Sequence, residues 1–358
     1  MQTGVLADHQ IRDMIKTGSI AADLPIVPDQ IQPASLDLRL GTTAYRVRAS
    51  FLTGPQRTVT DRLSDFKMHE IDLTQGAVLE KGCVYVVPVM ERLSLPATMS
   101  AAASAKSSIG RLDLLTRVIT DRGVEFDRVP AGYDGPLYVE ICPQSFSVIA
   151  QTGQMLNQII FRVGKTILTD AELTDLHARD PIVNGTASIS DGLGFSVDLR
   201  PETGTLVGYR AKPHAGVIDL SKLGHYDPAD FWEEVRTDKG WIILDPGAFY
   251  ILVSREAIAI PPDYAAEMAP YVAMVGEFRV HYAGFFDPGF GWAGAGGIGS
   301  RGVLEVRCHE APFVLEHGQT VGRLVYERMS ATPAALYGRE IKSNYQGQGL
   351  KLSKHFRA

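Results

Sequence analysis

The segment LEKGCVYVVPVMERLSLP, beginning at Leu79, aligns without gaps with LDPGAFYILVSREAIAIP, beginning at Leu244, an offset of 165 residues. Leu79, Gly82, Tyr85 and Pro96 recur in order, and Arg92 is matched two positions out of step by Arg255. The same offset lays YVEI (138–141) on VLEV (303–306), so that Glu140 falls on Glu305, and TGQ (152–154) on HGQ (317–319). At nearly that offset ASLDLRL (34–40) pairs with FSVDLRP (195–201), and VLADHQI (5–11) with ILTDAEL (167–173). Chance likeness between short apolar runs would not keep one offset over separated segments, whereas a duplication would. The chain reads as two tandem copies of one domain, 1–165 and 166–358, a length that suits about two domains.

Each copy opens on a short amphipathic helix, around Asp8–Thr17 and Thr169–Arg179, and continues mostly as strands. CVYVVPV, FYILVS, LYVEI, SFSVIAQ, QIIFRV, GVLEVRC and FVLEHG are β-branched or aromatic runs bounded by turn residues. Many closely spaced strands predict a mainly β fold, antiparallel barrels or jelly rolls, rather than βαβ units. Neither GxGxxG after a strand nor GxxxxGK[ST] occurs, so Rossmann and P-loop readings lack support.

Composition narrows the partners. A net charge of −6 argues against a general nucleic-acid binder or a membrane-surface protein, while leaving room for a local anion site. Cys83, Cys142 and Cys308 are far apart and form no CxxC pair, as expected in a reducing cytoplasm. No run reaches the ~18–20 apolar residues of a membrane span. The first residues lack a signal-peptide pattern, so a cytoplasmic location is expected.

Three segments carry chemistry. SAKSSIGRLDL (104–114) puts Lys106, Ser107, Ser108 and Arg111 within six positions, either a solvated turn or a cradle for an anion. HYAGFFDPGFG (281–291) is a hairpin signal ending in Asp287-Pro288-Gly289, and Glu305 follows within the apolar strand GVLEVRC. A carboxylate there either faces solvent or is buried because it works. YGREIKSNYQGQGLKLSKHF (337–356) is either a solvated tail or a lid with Gly347 and Gly349 as flexible points. CHE (308–310) makes a poor zinc site, since neighbouring strand residues point to opposite faces and no CxxC accompanies it.

Together IQPASLDLRLG, KSSIGR, AGFFDPGF, VLE and NYQGQ resemble the dCTP deaminase branch of the trimeric dUTPase-like superfamily, in its two-domain bacterial form. The resemblance covers most of the chain. It implies hydrolytic deamination of dCTP to dUTP and ammonia, a hydrolase reaction on a cyclic amidine C–N bond. Carried over by motif, Lys106, Ser107, Ser108, Ile109, Gly110 and Arg111 form the phosphate cradle, with Lys106 standing where the family has Arg. Glu305 becomes the general base, the Ala283 carbonyl orients the water, and Ser107 and Arg111 stabilise developing charge. Asp287 contacts the sugar, Val303 and Leu304 belong to the nucleotide-binding set, and Tyr337 and Gln348 close over the nucleotide. The family's tail lysine falls on Asn344, with Lys342 nearby as a substitute.

Each copy is incomplete in its own way. The first keeps KSSIGR and Glu140 but has VPAGYDG where Asp-Pro-Gly is expected; the second keeps hairpin, Glu305 and tail but has APYVAMVGEF (269–278) at the cradle position. A composite site follows, with the first copy supplying the cradle and the second the base pocket and lid. Glu140 is then a structural relic or the base of a second site. The insertion GWAGAGGIGS (291–300) reads as a flexible loop. The resemblance further implies Mg²⁺ carried by the triphosphate, no zinc, a homo-oligomer with a homotrimer favoured, and dTTP feedback. The rivals are a dUTP diphosphatase, a bifunctional deaminase–diphosphatase, and a nucleotide-binding module without turnover.

Overall fold

The computed structural model describes residues 2–270, 278–281, 284–297, 299–308, 310–338 and 347–357. They form a mainly β molecule in two halves. In the first half, Val84–Ser94 and Asp134–Pro143 pair antiparallel at the centre of one sheet. Leu114–Thr120 lies beyond them on one side, and Thr43–Val47 and Lys67–Asp72 on the other. A second sheet stacks Met155–Val163 against Met99–Ala105 and Leu36–Arg39. The second half repeats the pattern. Phe249–Ile258 pairs with Ser300–Cys308, and Tyr264–Pro270 with Thr320–Arg328.

The duplication is visible in the register. Glu140 stands opposite Val86, and Glu305 stands opposite Ile251, so both strands of the pair keep the 165-residue offset. Tyr85 Oη accepts the Glu80 N–H at 3.0 Å, and Tyr250 Oη accepts the Asp245 N–H at 3.0 Å. These hydroxyls staple the same turn in each half, and Gly82 and Gly247 supply its left-handed backbone at φ +75° and +71°.

The two expected helices form at Asp8–Lys16 and Asp170–Arg179, and a further helix, Val59–Phe66, capped by Thr58, forms where none was expected. Thr169 caps Asp170–Arg179, its Oγ1 accepting from the Glu172 N–H at 3.3 Å while Glu172 Oε2 accepts from the Thr169 N–H at 2.8 Å.

Each half has its own core, and the first half's core extends into the second through Ile218, Phe231, Trp232 and Phe356. Phe146 of the first packs edge-on to Phe231 and Trp232 of the second at 5.6 and 5.3 Å between ring centres. Phe356, from the end of the chain, closes the same cluster 5.5 Å from Phe231. Ile218–Asp219 adds a parallel strand to Val148–Ala150. Arg162 reaches across to Glu327 at 2.5 Å and Glu267 at 2.8 Å. The contacts of Phe146, of Val148–Ala150 and of Arg162 cross between the halves, and they fix the relative placement of the halves and of the cavity between them.

Candidate active site

The cradle begins where Met99–Ala105 ends. Lys106 caps the single helical turn Ser107–Gly110, its carbonyl accepting from the N–H groups of Ile109 at 2.8 Å and Gly110 at 3.1 Å. Ile109 and Leu112 turn into the core, which leaves Lys106, Ser107, Ser108 and Arg111 on the wall of a cavity of about 740 Å³. The segment is neither solvated nor free. Lys106 forms an ion pair with the buried Asp37, and Asp37 sits in the ASLDLRL motif.

The opposite wall comes from the second half. Along Ser300–Cys308 the side chains alternate. Leu304, Val306 and Cys308 enter the second half's core, while Val303 and Glu305 face the cavity. Glu305 is only 4% exposed, and burial holds its carboxyl well above the usual range. The Arg111 charge opposes that rise and Asp113 adds to it. In register, His281 stands opposite Glu305.

The hairpin turn is built as the motif predicts. Phe290 N–H donates to the Asp287 carbonyl at 3.1 Å, and Gly289 takes φ +97°. A β-carbon at Gly289 would lie 2.8 Å from the Tyr337 carbonyl, so the turn needs glycine to seat that residue. Tyr337 N–H donates to the Pro288 carbonyl at 2.9 Å. Burial raises the Asp287 carboxyl to about 7, with Asp37 pushing the same way and the Ala34 N–H and Lys106 opposing. Asp287 Oδ1 has no hydrogen-bond partner among the described residues.

The final segment is a packed strap. Gln348 Oε1 accepts from Arg111 Nη2 at 3.0 Å, while Gln348 Nε2 donates to the Arg301 carbonyl at 3.1 Å. Arg111 Nη1 donates to the Lys351 carbonyl at 3.0 Å, and Ser353 Oγ donates to the Ser108 carbonyl at 2.7 Å. Beyond, His355 is buried and Phe356 sits in the aromatic cluster. The reading of 337–356 as a solvated tail therefore fails for 347–356, because the strap's side chains complete the core. Gly347 is tied to Ser300 Oγ at 2.8 Å rather than acting as a loose point.

The cavity thus gathers Lys106, Ser107, Ser108 and Arg111 with Asp287, Val303, Glu305, Tyr337 and Gln348. Ile109, Gly110 and Leu304 are not on its wall: all three are buried, Ile109 and Leu304 in the two cores, the last because strand alternation turns it away. Ala283, Lys342 and Asn344 lie outside the described residues. The 291–300 insertion is no loose loop in its described part. Gly299 N–H bonds the Gly291 carbonyl at 2.9 Å, and Trp292 Nε1 donates to Asp180 Oδ2 at 2.9 Å.

Several wall residues were not singled out from the sequence, among them Arg12, Asp37, Gln158 and Lys354. Asp37 had a signal, since its carboxylate recurs as the buried Asp198 of FSVDLRP. Lys354 had none; only the strap's path brings it to the cavity, where burial and the Lys106 charge lower its pKa. Glu140 is elsewhere, its Oε1 taken by Arg117 Nη2 at 2.5 Å and Nε at 3.2 Å. Among the described residues, no three His, Cys, Asp or Glu side chains gather in a way that could hold a metal ion.

Family models match both halves. The 2'-deoxycytidine 5'-triphosphate deaminase N-terminal domain model matches residues 2–165 and the C-terminal domain model residues 169–356. A crystal structure of 2'-deoxycytidine 5'-triphosphate deaminase from Agrobacterium tumefaciens is 55% identical, with a TM-score of 0.88 over 92% of this chain and 100% of that one. A dCTP deaminase of Halorubrum lacusprofundi is 28% identical over 44% of this chain and 76% of its own length. A "dCTP deaminase, dUMP-forming" of Methanoculleus marisnigri is 31% identical over 44% of this chain and 79% of its own length. With both domain models matched in order across nearly its whole length, the chain belongs to the 2'-deoxycytidine 5'-triphosphate deaminase family.

Proposed function

We propose that this protein deaminates dCTP hydrolytically, dCTP and water giving dUTP and ammonia. The observation that carries the reading is the buried Glu305 carboxylate in one cavity with the hydroxyls and guanidinium of the KSSIGR turn. Glu305 takes a proton from water as its oxygen attacks C4 of the cytosine. The same carboxyl then hands that proton to the departing amine, and the C4–N bond breaks as the C4 carbonyl forms, the remaining hydroxyl proton ending on N3 of the product. A buried base with a raised pKa suits both steps near neutral pH. Arg111 and Ser107 stabilise charge on the tetrahedral intermediate, and the Ala283 carbonyl orients the water. Lys106, Ser108 and Gln348 hold the triphosphate end, Asp287 the sugar, and Tyr337 with Val303 the base. Ile109, Gly110 and Leu304 can contribute only through their backbone. Mg²⁺ enters as the counterion of the triphosphate.

The first domain supplies the cradle and the second the base pocket, each domain being a distorted barrel of the dUTPase-like type. A homotrimer of two-domain chains, dTTP feedback and a cytoplasmic setting complete the reading; the three free cysteines accord with the last. A second reading, deamination followed by diphosphate release to dUMP, is favoured by the dUMP-forming relative.

The test is to follow ammonia and nucleotide together with dCTP as substrate. Ammonia with dUTP supports the deaminase, and ammonia with dUMP and diphosphate the bifunctional enzyme. Release of dUMP from dUTP with no ammonia from dCTP makes it a diphosphatase, and binding without turnover a sensor module.

A further inference from the structure

Arg307 stands two residues beyond Glu305 on the same strand, so both side chains leave the same face, toward the first half. On that side Asp113 follows Arg111 by two residues, held at φ +54° by its N–H bond to the Gly110 carbonyl at 2.8 Å. Two facing pairs result: Arg111 acts on Glu305, and Arg307 forms an ion pair with Asp113. Asp113 is 1% exposed and also accepts from Ser145 Oγ at 2.6 Å. Arg307 Nη1 is fixed in turn by the Gly247 carbonyl at 2.7 Å. The cradle turn and the base strand come from opposite halves, more than 150 residues apart. This pair joins them two residues beyond the reacting groups on each side.

We propose that Asp113 and Arg307 are a positioning pair for the reaction, setting the cradle's Arg111 against the base Glu305 so that both meet one nucleotide. The proposal rests on the deaminase reading above. Neither residue lines the cavity, so neither touches substrate. A misplacement of about 1 Å in such a constellation costs on the order of 100-fold in rate. Among the described residues the charges that act on Glu305 are those of Arg111 and Asp113 from the cradle turn, and in register Ile251 and His281 stand opposite it on the two neighbouring strands.

The experiment compares wild type with Asp113→Asn, Arg307→Gln and Arg307→Lys, using dCTP turnover per folded molecule. Positioning predicts that kcat falls about 10- to 100-fold for Asp113→Asn and Arg307→Gln while KM changes less than about threefold. Arg307→Lys, which keeps the charge, recovers part of the loss. In Asp113→Asn the acidic limb of the kcat profile moves to lower pH, because a negative charge beside Glu305 is gone. Loss of thermal stability with kcat and the pH limb unchanged per folded molecule overturns the proposal, as does a rise in KM alone. If Asp113→Asn does not fold, the two Arg307 variants decide by the same kcat criterion. Wild type that releases no ammonia defeats the deaminase reading instead, which keeps the two failures apart.

Discussion

Arg117 holds Glu140 in the first half at the register point where, in the second half, His281 stands opposite Glu305. The guanidinium takes Glu140 Oε1 with two nitrogens and lies 3.6 Å from the centre of the Phe126 ring. A carboxylate neutralised in this way is a structural anchor and a poor base. Glu305 faces the cavity, where, among the described residues, the Arg111 charge opposes the effect of its burial.

The two glutamates therefore part on mutation. Glu305→Gln is expected to lower kcat for ammonia release by at least ~10²-fold, the range of a lost general base. Glu140→Gln should leave kcat within about threefold and lower the melting temperature, since it unpairs Arg117. Equal loss of kcat in both variants would mean that both halves work.

Activity should carry an acidic limb above the ordinary carboxylate range, because burial raises Glu305 and only its ionised form takes the proton from water. Activity rises with pH through that limb. A kcat profile flat down to pH 4–5, the ordinary range of about 4.3 for glutamate, would remove Glu305 as the base.

Gln348→Ala removes the amide that holds Arg111 and bridges it to the Arg301 carbonyl. A hydrogen bond to a charged group is worth about 1.5–3 kcal/mol, so kcat/KM for dCTP should fall roughly 10- to 100-fold. Steady-state kinetics would check this, with circular dichroism confirming the fold.

Phe356→Ala should cost about 3–5 kcal/mol, the usual range for emptying a buried aromatic site. Phe356 is 5% exposed among Phe231, Trp232 and Tyr226, and it anchors the strap that reaches Ser108 and Arg111. Denaturant unfolding measures the loss, and turnover should fall with it even below the melting point.

His355 gives stability a pH dependence of known sign. Burial, then the Lys354 charge, pushes its pKa down to about 4 from 6.5, so the unfolded chain binds the proton more readily. The neutral ring's contribution is complete above about 6.5 and is lost as the pH falls through about 4, at most ~3 kcal/mol. A His355→Asn variant should show a shallower fall of unfolding free energy over that window than wild type.

The repeat alone determined that the chain is two copies of one β-rich unit, because a fixed offset in apolar and turn residues imposes the same strand register twice. Local pattern located the helix that opens each copy and the Asp-Pro-Gly turn as well, since amphipathic spacing and Asp-Pro-Gly act within a few residues, but it missed the helix Val59–Phe66. The motifs named Glu305, Arg111, Asp287, Tyr337 and Gln348, which the fold brings to one cavity. Tertiary structure decided what depends on partners distant in sequence. Glu140 and Glu305 sit in like strands, and only the Arg117 across the sheet makes one an anchor. The strap looks polar enough for solvent, yet Ser353, His355 and Phe356 each find a buried partner more than 100 residues away. Leu304 lies next to the base in sequence and on the opposite face of the sheet, because a strand's side chains alternate. Local pattern fixes which way a side chain leaves the backbone; what it meets there is set by the packing of the two halves.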